Sequence, residues 1–147
     1  MIKFFIDIFI FCKFKSKESE YKVGFFCESN FIFHYLEPYI LNKSKKVKVI
    51  ILSFENIQSD LIDKSNVFVF HTNFFRQLVF LTLKLNVLYS STPDLNNTIF
   101  QRAKFSKCKY IYLHHTPVSL TLIYNPNAFD AFDAVQSIST YQYKEMK

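Results

Sequence analysis

The 147-residue chain is 50% apolar and 20% charged, with a net charge of +6 at neutral pH. This composition is globular rather than disordered, and a chain of this length buries about 68–70% of its surface on folding. Its single glycine, Gly24, excludes a G-x-G-x-x-G turn and a GxxxxGK[ST] loop, since both need several glycines where the backbone approaches a phosphate. A Rossmann oxidoreductase, a protein kinase and a P-loop NTPase are therefore not expected.

The charge and the cysteines indicate partners and compartment. The excess of lysine favours an anionic partner such as phospholipid or polyphosphate, and a solvated lysine-rich surface explains it equally well. No RNP-type, helix-turn-helix or zinc-finger spacing is present, so no nucleic-acid partner is expected. Cys12, Cys27 and Cys108 are isolated and form no C-x-x-C pair, which is typical of thiols in the reducing cytoplasm.

Residues 1–20 form an apolar and basic segment ahead of a domain that we place at residues 21–147. The run "MIKFFIDIFIFCKFK" is shorter than the roughly 20 apolar residues of a membrane span, and Asp7 interrupts it. No small-residue cleavage site follows, as a signal peptide would need. Two interpretations remain. One is a strand or helix packed on the domain. The other is an amphipathic segment on an anionic membrane surface, peripheral to the inner face of the cell membrane, with nearby lysines at the headgroups.

The predicted elements alternate between strand and helix along the chain. Strands are predicted at "YKVGFFCES", "KVKVIILSF", "NVFVFHT", "NVLYS" and "CKYIYLHH", and at residues 134–139. A helix is predicted at "NFIFHYLEPYILNK", where Phe31, Tyr35 and Tyr39 recur at helical spacing and Pro38 kinks or restarts it. Another is predicted at residues 73–85, capped by Asn73, and a short one from Pro117. Near-continuously apolar strands indicate a parallel sheet covered on both faces. The fold class is therefore α/β, a single Rossmann-like domain.

Polar side chains follow four of the predicted strands. They lie at residues 27–29, 71–73, 90–94 and 114–116. In open α/β sheets the ligand crevice lies beyond the carboxyl ends of the strands, so their shared position predicts one functional edge.

The fifth strand carries the clearest chemistry. Thr116 and Pro117 are suited to the N-cap and first position of a helix, whose free amides favour a phosphate. His114, just before them, is placed to act as a general base toward an attacking hydroxyl. Alternatively, His114 and His115 only satisfy hydrogen bonds at a strand end. A metal-dependent phosphoesterase is a further alternative, in which His71 and Asp94 join the two histidines, although their spacing is not diagnostic of a metal site.

The segment "LHHTPVSLTLIYNPNAFDAFDAV" resembles the CDP-glycerol glycerophosphotransferase family of teichoic-acid and capsule polymerases. Members of that family have a His-Gly-Thr-Pro segment, then a polar turn and a Phe-Asp pair. The stretches "KVGFFCES" and "SSTPDL" are also similar to upstream parts of shorter relatives. The resemblance covers residues 22–147, and residues 110–133 are its most specific part.

The resemblance implies the N-terminal, acceptor-side half of a GT-B-like transferase, without a metal or other cofactor. Such an enzyme transfers glycerol phosphate, or a related polyol phosphate, from a CDP-alcohol to a hydroxyl of a polymer or lipid-linked acceptor. His114 matches the family histidine that is proposed to be the base, and His115 stands where the family has glycine. Expected substrate contacts are Glu28, Ser91, Thr92, His115, Thr116, Pro117 and Ser119.

Two hypotheses about activity follow. In the first, the donor-binding half lies beyond Lys147, so the chain alone releases no CMP. In the second, the chain is a non-catalytic module that docks on a separate C-terminal half or on the membrane surface. Asp130 and Asp133 either orient the site or occupy ordinary polar positions on a helix at "AFDAFD".

Overall fold

The structure is a computed structural model that describes residues 1–95, 101–103, 105–114, 120–137, 139, 140 and 144. Its centre is a sheet of six parallel strands in the order β3-β2-β1-β4-β5-β6. The strands are β1 (Val23–Cys27), β2 (Val49–Ser53), β3 (Val67–Val69), β4 (Val87–Ser90), β5 (Lys109–Leu113) and β6 (Ala134–Gln136). This order is that of a doubly wound Rossmann sheet. The predicted α/β, Rossmann-like fold class is confirmed.

Helices cover both faces of the sheet. They are α1 (Ile2–Lys17), α2 (Asn30–Ser44), α3 (Asn73–Thr82) and the short α4 (Leu120–Ile123). Successive strand residues point to opposite faces, which divides the core in two. Phe26 of β1 packs in the cluster that α1 and α3 cover, whereas Phe25 packs in the cluster that α2 covers. None of these helices, in the described part of the chain, is both long enough and apolar enough to cross a bilayer.

Helix α2 differs from its predicted form in two ways. It runs from Asn30 to Ser44 with Pro38 inside it, so the alternative in which the helix restarts at Pro38 is wrong. The apolar face that packs on the sheet is Phe33, Leu36 and Ile40. The residues that marked the helical period in the sequence, Phe31, Tyr35 and Tyr39, are all more than a third exposed.

Helix α3 begins and ends earlier than the sequence suggested. Its N-cap is Thr72, and Asn73 is the first helical residue rather than the cap. The helix ends at Thr82 because Leu83 adopts an extended conformation. Both Leu83 and Leu85 are buried in the core beneath the helix, so packing draws this segment out of the helix and toward β4.

The N-terminal segment forms a helix that packs on the domain. Phe14 is fully buried, and its ring centroid lies 5.5 Å from that of Phe68 and 6.3 Å from that of Phe70. The side chain of Asp7, which interrupts the apolar run in the sequence, is also fully buried. The inner face of α1 therefore packs into the hydrophobic core on one side of the sheet, while its outer face remains exposed.

Gly24 lies in the middle of β1 and serves packing. A Cβ atom at this position would lie 2.5 Å from Cδ1 of Leu85 and 3.1 Å from Cδ1 of Leu88. The absence of a side chain thus lets the loop before β4 close over the strand. The one glycine of the chain has no part in a phosphate-binding turn.

The three thiols differ in reactivity. Cys12 is exposed, whereas Cys27 and Cys108 are buried and free. Burial raises the pKa of Cys108 to about 12 and that of Cys27 further still, so neither is a thiolate near neutral pH. We expect one equivalent of thiol to react with Ellman's reagent at pH 8 in the native protein, and three in guanidinium chloride. Two fast-reacting native thiols would contradict the burial of these side chains.

Candidate functional site

The strand order places a crevice between the carboxyl ends of β1 and β4. The chain leaves β1 toward β2 on one side, and leaves β4 toward β5 on the other, so the two connections diverge. Ligands of doubly wound sheets bind at this switch point. Here Glu28 and Ser29 follow β1, and Ser91 and Thr92 follow β4. We call the edge at which the six strands end the carboxyl edge.

Side-chain hydrogen bonds join three strands at this edge. The Thr92 hydroxyl donates to Oε2 of Glu28 at 3.1 Å, which links the ends of β1 and β4. The Ser91 hydroxyl donates to the Leu113 carbonyl at 2.5 Å, which links β4 to β5. Three of the predicted substrate-binding residues are thus brought together. Ser91 and Thr92 are buried, so Glu28, which is exposed, presents the accessible polar group.

A cleft of about 440 Å³ opens next to these residues, beyond β1 and β2. It is lined by Glu28, Ser29, Phe54, Glu55 and Arg76. The guanidinium carbon of Arg76 lies 4.3 Å from the Phe54 ring centroid, a cation–π contact. Nε of Arg76 also donates to the Phe70 carbonyl at 2.9 Å. The arginine is therefore held in place by its surroundings and presents a fixed positive charge to the cleft.

The charges around Arg76 favour a neutral ligand. Burial lowers the pKa of Arg76, and the carboxylates of Asp7, Glu28 and Glu55 oppose that shift, so the group stays protonated. Glu55 accepts a hydrogen bond from the backbone amide of Asn30 at 3.0 Å, at the start of α2. A helix start of this kind is where an external anion binds, and here the chain's own carboxylate lies there. One guanidinium and two carboxylates fit hydroxyl groups better than a phosphate.

Sequence reasoning missed Glu55 and Arg76. Glu55 follows β2 by two residues, so the rule that identified polar groups at other strand ends would have found it. The sequence predicts β2 to continue through Phe54, whereas the strand ends at Ser53, which places Glu55 in the turn beyond it. No comparable sequence signal exists for Arg76, which reaches the cleft from the first turns of α3.

His114, the predicted base, lies at the end of β5 and is only 3% exposed. Its ring centroid lies 4.7 Å from that of Tyr112, 5.6 Å from that of Phe129 and 5.9 Å from that of Tyr124. Tyr124 and Phe129 belong to the loop between α4 and β6. In this arrangement the imidazole is packed among aromatic rings and is closed to a substrate.

The other predicted contacts of this segment cannot be placed. His115, Thr116, Pro117 and Ser119 lie outside the described residues, and so does the predicted start of a helix at Thr116. The short helix α4 is described from Leu120.

The metal alternative needs His71 and His114 in one cluster, and the strand order separates them. His71 follows β3 and His114 follows β5, four strand spacings apart, which is roughly 19 Å. His71 instead hydrogen bonds through Nδ1 to Oδ1 of Asp7 at 2.9 Å. Within the described ranges, no three His, Cys, Asp or Glu side chains are grouped so that they could hold a metal ion. One ion shared by these two histidines is incompatible with this separation.

Asp133 does not orient His114. Its carboxylate accepts a hydrogen bond from the Tyr110 amide at 2.7 Å and pairs with Arg102 at 2.9 Å, at the amino end of β5. Burial would raise the pKa of Asp133, but these contacts hold it below the usual value. Residues 126–131 form turns rather than the predicted helix, and Asp130 is exposed. Asp133 therefore has a structural role, at the end of the strand opposite to His114.

Comparisons with known proteins complete the description of the site. No protein-family model, curated protein or solved structure matches this chain.

Proposed function

We propose that this chain is the acceptor-side part of a CDP-glycerol glycerophosphotransferase-like enzyme. The observation that supports this best is the position of the predicted substrate residues. Glu28, Ser91 and Thr92, predicted from separate stretches, meet at the switch point beside a cleft whose charges suit hydroxyl groups. The resemblance of "LHHTP" to the family's His-Gly-Thr-Pro segment supplies the reaction class.

In this proposal, the cleft binds a polyol unit near the end of the acceptor, and the terminal hydroxyl extends across the switch point to His114, since β5 lies two strand spacings, or roughly 10 Å, from β1. The carboxylates of Glu28 and Glu55 accept hydrogen bonds from its hydroxyls, and Arg76 donates to a hydroxyl oxygen. The attacking oxygen forms a bond to the β-phosphorus of a CDP-alcohol, and the bond from that phosphorus to the bridging oxygen breaks. CMP leaves with the electron pair, and His114 takes the hydroxyl proton once Tyr124 and Phe129 move aside.

The acceptor half of the proposal is tested by titrating the purified chain with a soluble glycerol phosphate oligomer in a calorimeter. We expect Glu28→Ala to weaken binding about tenfold, since a hydrogen bond to a charged group is worth roughly 1.5–3 kcal/mol. Glu20→Ala is the matched control, because Glu20 is exposed and pairs with Lys48 away from the cleft. Equal acceptor affinities of the two variants would show that the acceptor does not bind in the cleft.

An activity assay of the chain alone tests whether it also binds the donor. The family resemblance assigns the CDP-alcohol to the other half of the enzyme, so we expect no CMP release from CDP-glycerol by these 147 residues. Detectable release of CMP, abolished in His114→Ala, would show that this chain also binds the donor.

A second candidate is a non-catalytic module that docks on a separate protein through the carboxyl edge. The burial of His114 favours it, and so do exposed apolar side chains on helices near that edge. These are Phe31, Phe74, Leu122 and Ile123. Such a module would bind no acceptor in the titration above, whereas the acceptor-side part of the enzyme would.

A further inference from the structure

The outer face of α1 carries a continuous apolar stripe. Ile2, Phe5, Ile6 and Phe9 recur at helical spacing, and their exposed fractions are 78, 63, 43 and 75%. Phe4 extends the stripe toward α3, where its ring centroid lies 6.0 Å from that of the exposed Phe74. Single exposed apolar residues are common on protein surfaces, but a contiguous patch marks an interaction site.

This stripe is held in a fixed orientation. On the inner side of the helix, Asp7 accepts hydrogen bonds from the backbone amides of His71 and Thr72 at 3.0 and 2.7 Å. Phe14 is fully buried in the core, whereas Phe9, on the other side of the helix, is 75% exposed. The apolar face is therefore part of a rigid surface of the domain.

The exposed charged side chains of α1 itself are lysines. Lys3 and Lys13 are exposed, and Lys13 follows Phe9 by four residues on the same face. The one acidic residue of α1, Asp7, is buried, and its hydrogen-bonding capacity is directed inward. An apolar stripe flanked by cations complements an anionic lipid surface, where acyl chains lie beneath negative headgroups.

The apolar stripe begins at the carboxyl edge of the sheet. Phe4 lies against Phe74 at the start of α3, and Lys15 donates to the Thr82 carbonyl at the end of α3, so the two helices are parallel. Since α3 begins just after β3 ends, the apolar start of α1 lies at the carboxyl edge. A surface that covers Ile2 and Phe5 would therefore lie next to that edge.

We propose that the outer face of α1 docks the protein on an anionic phospholipid surface. The inference goes beyond the proposed function, because it requires no substrate and no catalysis. If the proposed function also holds, docking places the cleft at the carboxyl edge beside the surface that carries a lipid-linked acceptor.

Cys12, on the exposed side of α1, provides a probe of docking in the unmodified sequence. It is the one exposed thiol among the described residues, so a polarity-sensitive maleimide fluorophore will label it selectively. We expect a blue shift on adding vesicles of 30% phosphatidylglycerol in phosphatidylcholine, and none with pure phosphatidylcholine. The shift should decrease as salt is raised, because screening weakens the attraction of the lysines to the headgroups.

Two variants with matched controls locate the surface by vesicle co-sedimentation. We expect Lys3→Gln/Lys13→Gln to lower partitioning about 30-fold, at roughly 1 kcal/mol per lysine. We expect Phe5→Gln/Phe9→Gln to lower it at least tenfold, through lost apolar burial. As controls, Lys45→Gln/Lys46→Gln removes two exposed lysines and Tyr39→Gln/Phe105→Gln removes two exposed aromatic rings from positions off α1. Both should bind as the parent chain does.

Three results would overturn the proposal. The first is no binding to the anionic vesicles by the folded parent protein. The second is binding that survives Phe5→Gln/Phe9→Gln, which would place the contact elsewhere. The third is a concentration-dependent dimer, without vesicle binding, that Phe5→Gln/Phe9→Gln abolishes, since the stripe would then pair two copies of this chain. Circular dichroism confirms that each variant keeps its helices. Because acceptor binding is measured without lipid, its failure is distinguishable from the failure of docking.

Discussion

We expect the Asp7→Ala variant to lose about 2–4 kcal/mol of unfolding free energy, because it leaves several buried or partly buried donors without an acceptor. Oδ1 accepts from the amide and Nδ1 of His71, at 3.0 and 2.9 Å. Oδ2 accepts from the amide and the hydroxyl of Thr72, at 2.7 and 2.6 Å. The measurement is urea denaturation at pH 7. Asp60→Ala, at an exposed carboxylate, is the control and should change stability by no more than about 0.5 kcal/mol.

The same carboxylate makes stability depend on pH. Burial alone would raise the pKa of Asp7, but the hydrogen bonds from Thr72 and His71 outweigh it and hold the pKa below the usual value. Unfolding returns that pKa to about 3.9. The contribution of Asp7 is therefore fully present above about pH 4 and is lost as the pH falls through the lower, folded-state pKa. An Asp7→Asn variant should show a shallower loss of stability below pH 4 than the parent, and an unchanged slope would contradict this account.

The second large effect is expected at Phe14. Replacing this fully buried ring with alanine should cost about 3–5 kcal/mol, through lost apolar burial and the cavity left beside Phe68 and Phe70. Phe9→Ala is the matched control on the same helix, because Phe9 is 75% exposed. It should change the unfolding free energy by no more than about 0.5 kcal/mol. Similar losses in both variants would mean that α1 does not pack on the sheet by the face described.

The strands were predictable because their signal is local. The β-branched run "KVKVIILSF" contains β2, Val49–Ser53, and the apolar stretch "YKVGFFCES" contains β1, Val23–Cys27. Strands buried on both faces are apolar at nearly every position, so a short window of sequence reveals them. Their alternation with helices was then enough to predict the parallel sheet.

The orientation of α2 was not predictable in the same way. Its aromatic residues Phe31, Tyr35 and Tyr39 have a clear helical period, yet they lie toward solvent. The buried face is Phe33, Leu36 and Ile40, because that side meets β1 and β2. When a helix has apolar residues on most sides, the pattern establishes the helix and only its neighbours establish which side is buried.

The candidate site was predictable in part. The rule that polar residues at strand ends share one edge correctly brought Glu28, Ser91 and Thr92 together. It did not predict that Glu55 would lie against the Asn30 amide, 25 residues away in the chain. It also gave no sign that aromatic rings would bury His114. Such contacts depend on side-chain directions that arise only when distant segments pack.

The α/β class, the meeting of polar residues at the carboxyl edge and the exclusion of glycine-rich phosphate loops could all be inferred from the sequence. These conclusions depend on composition and on periodic patterns within short windows. No local pattern predicted that Asp7 would bind the backbone amides before α3, because these hydrogen bonds span 64 and 65 residues. By fixing the inner face of α1, those contacts decided which of its apolar residues remain exposed, because packing selects among faces that the sequence leaves equivalent.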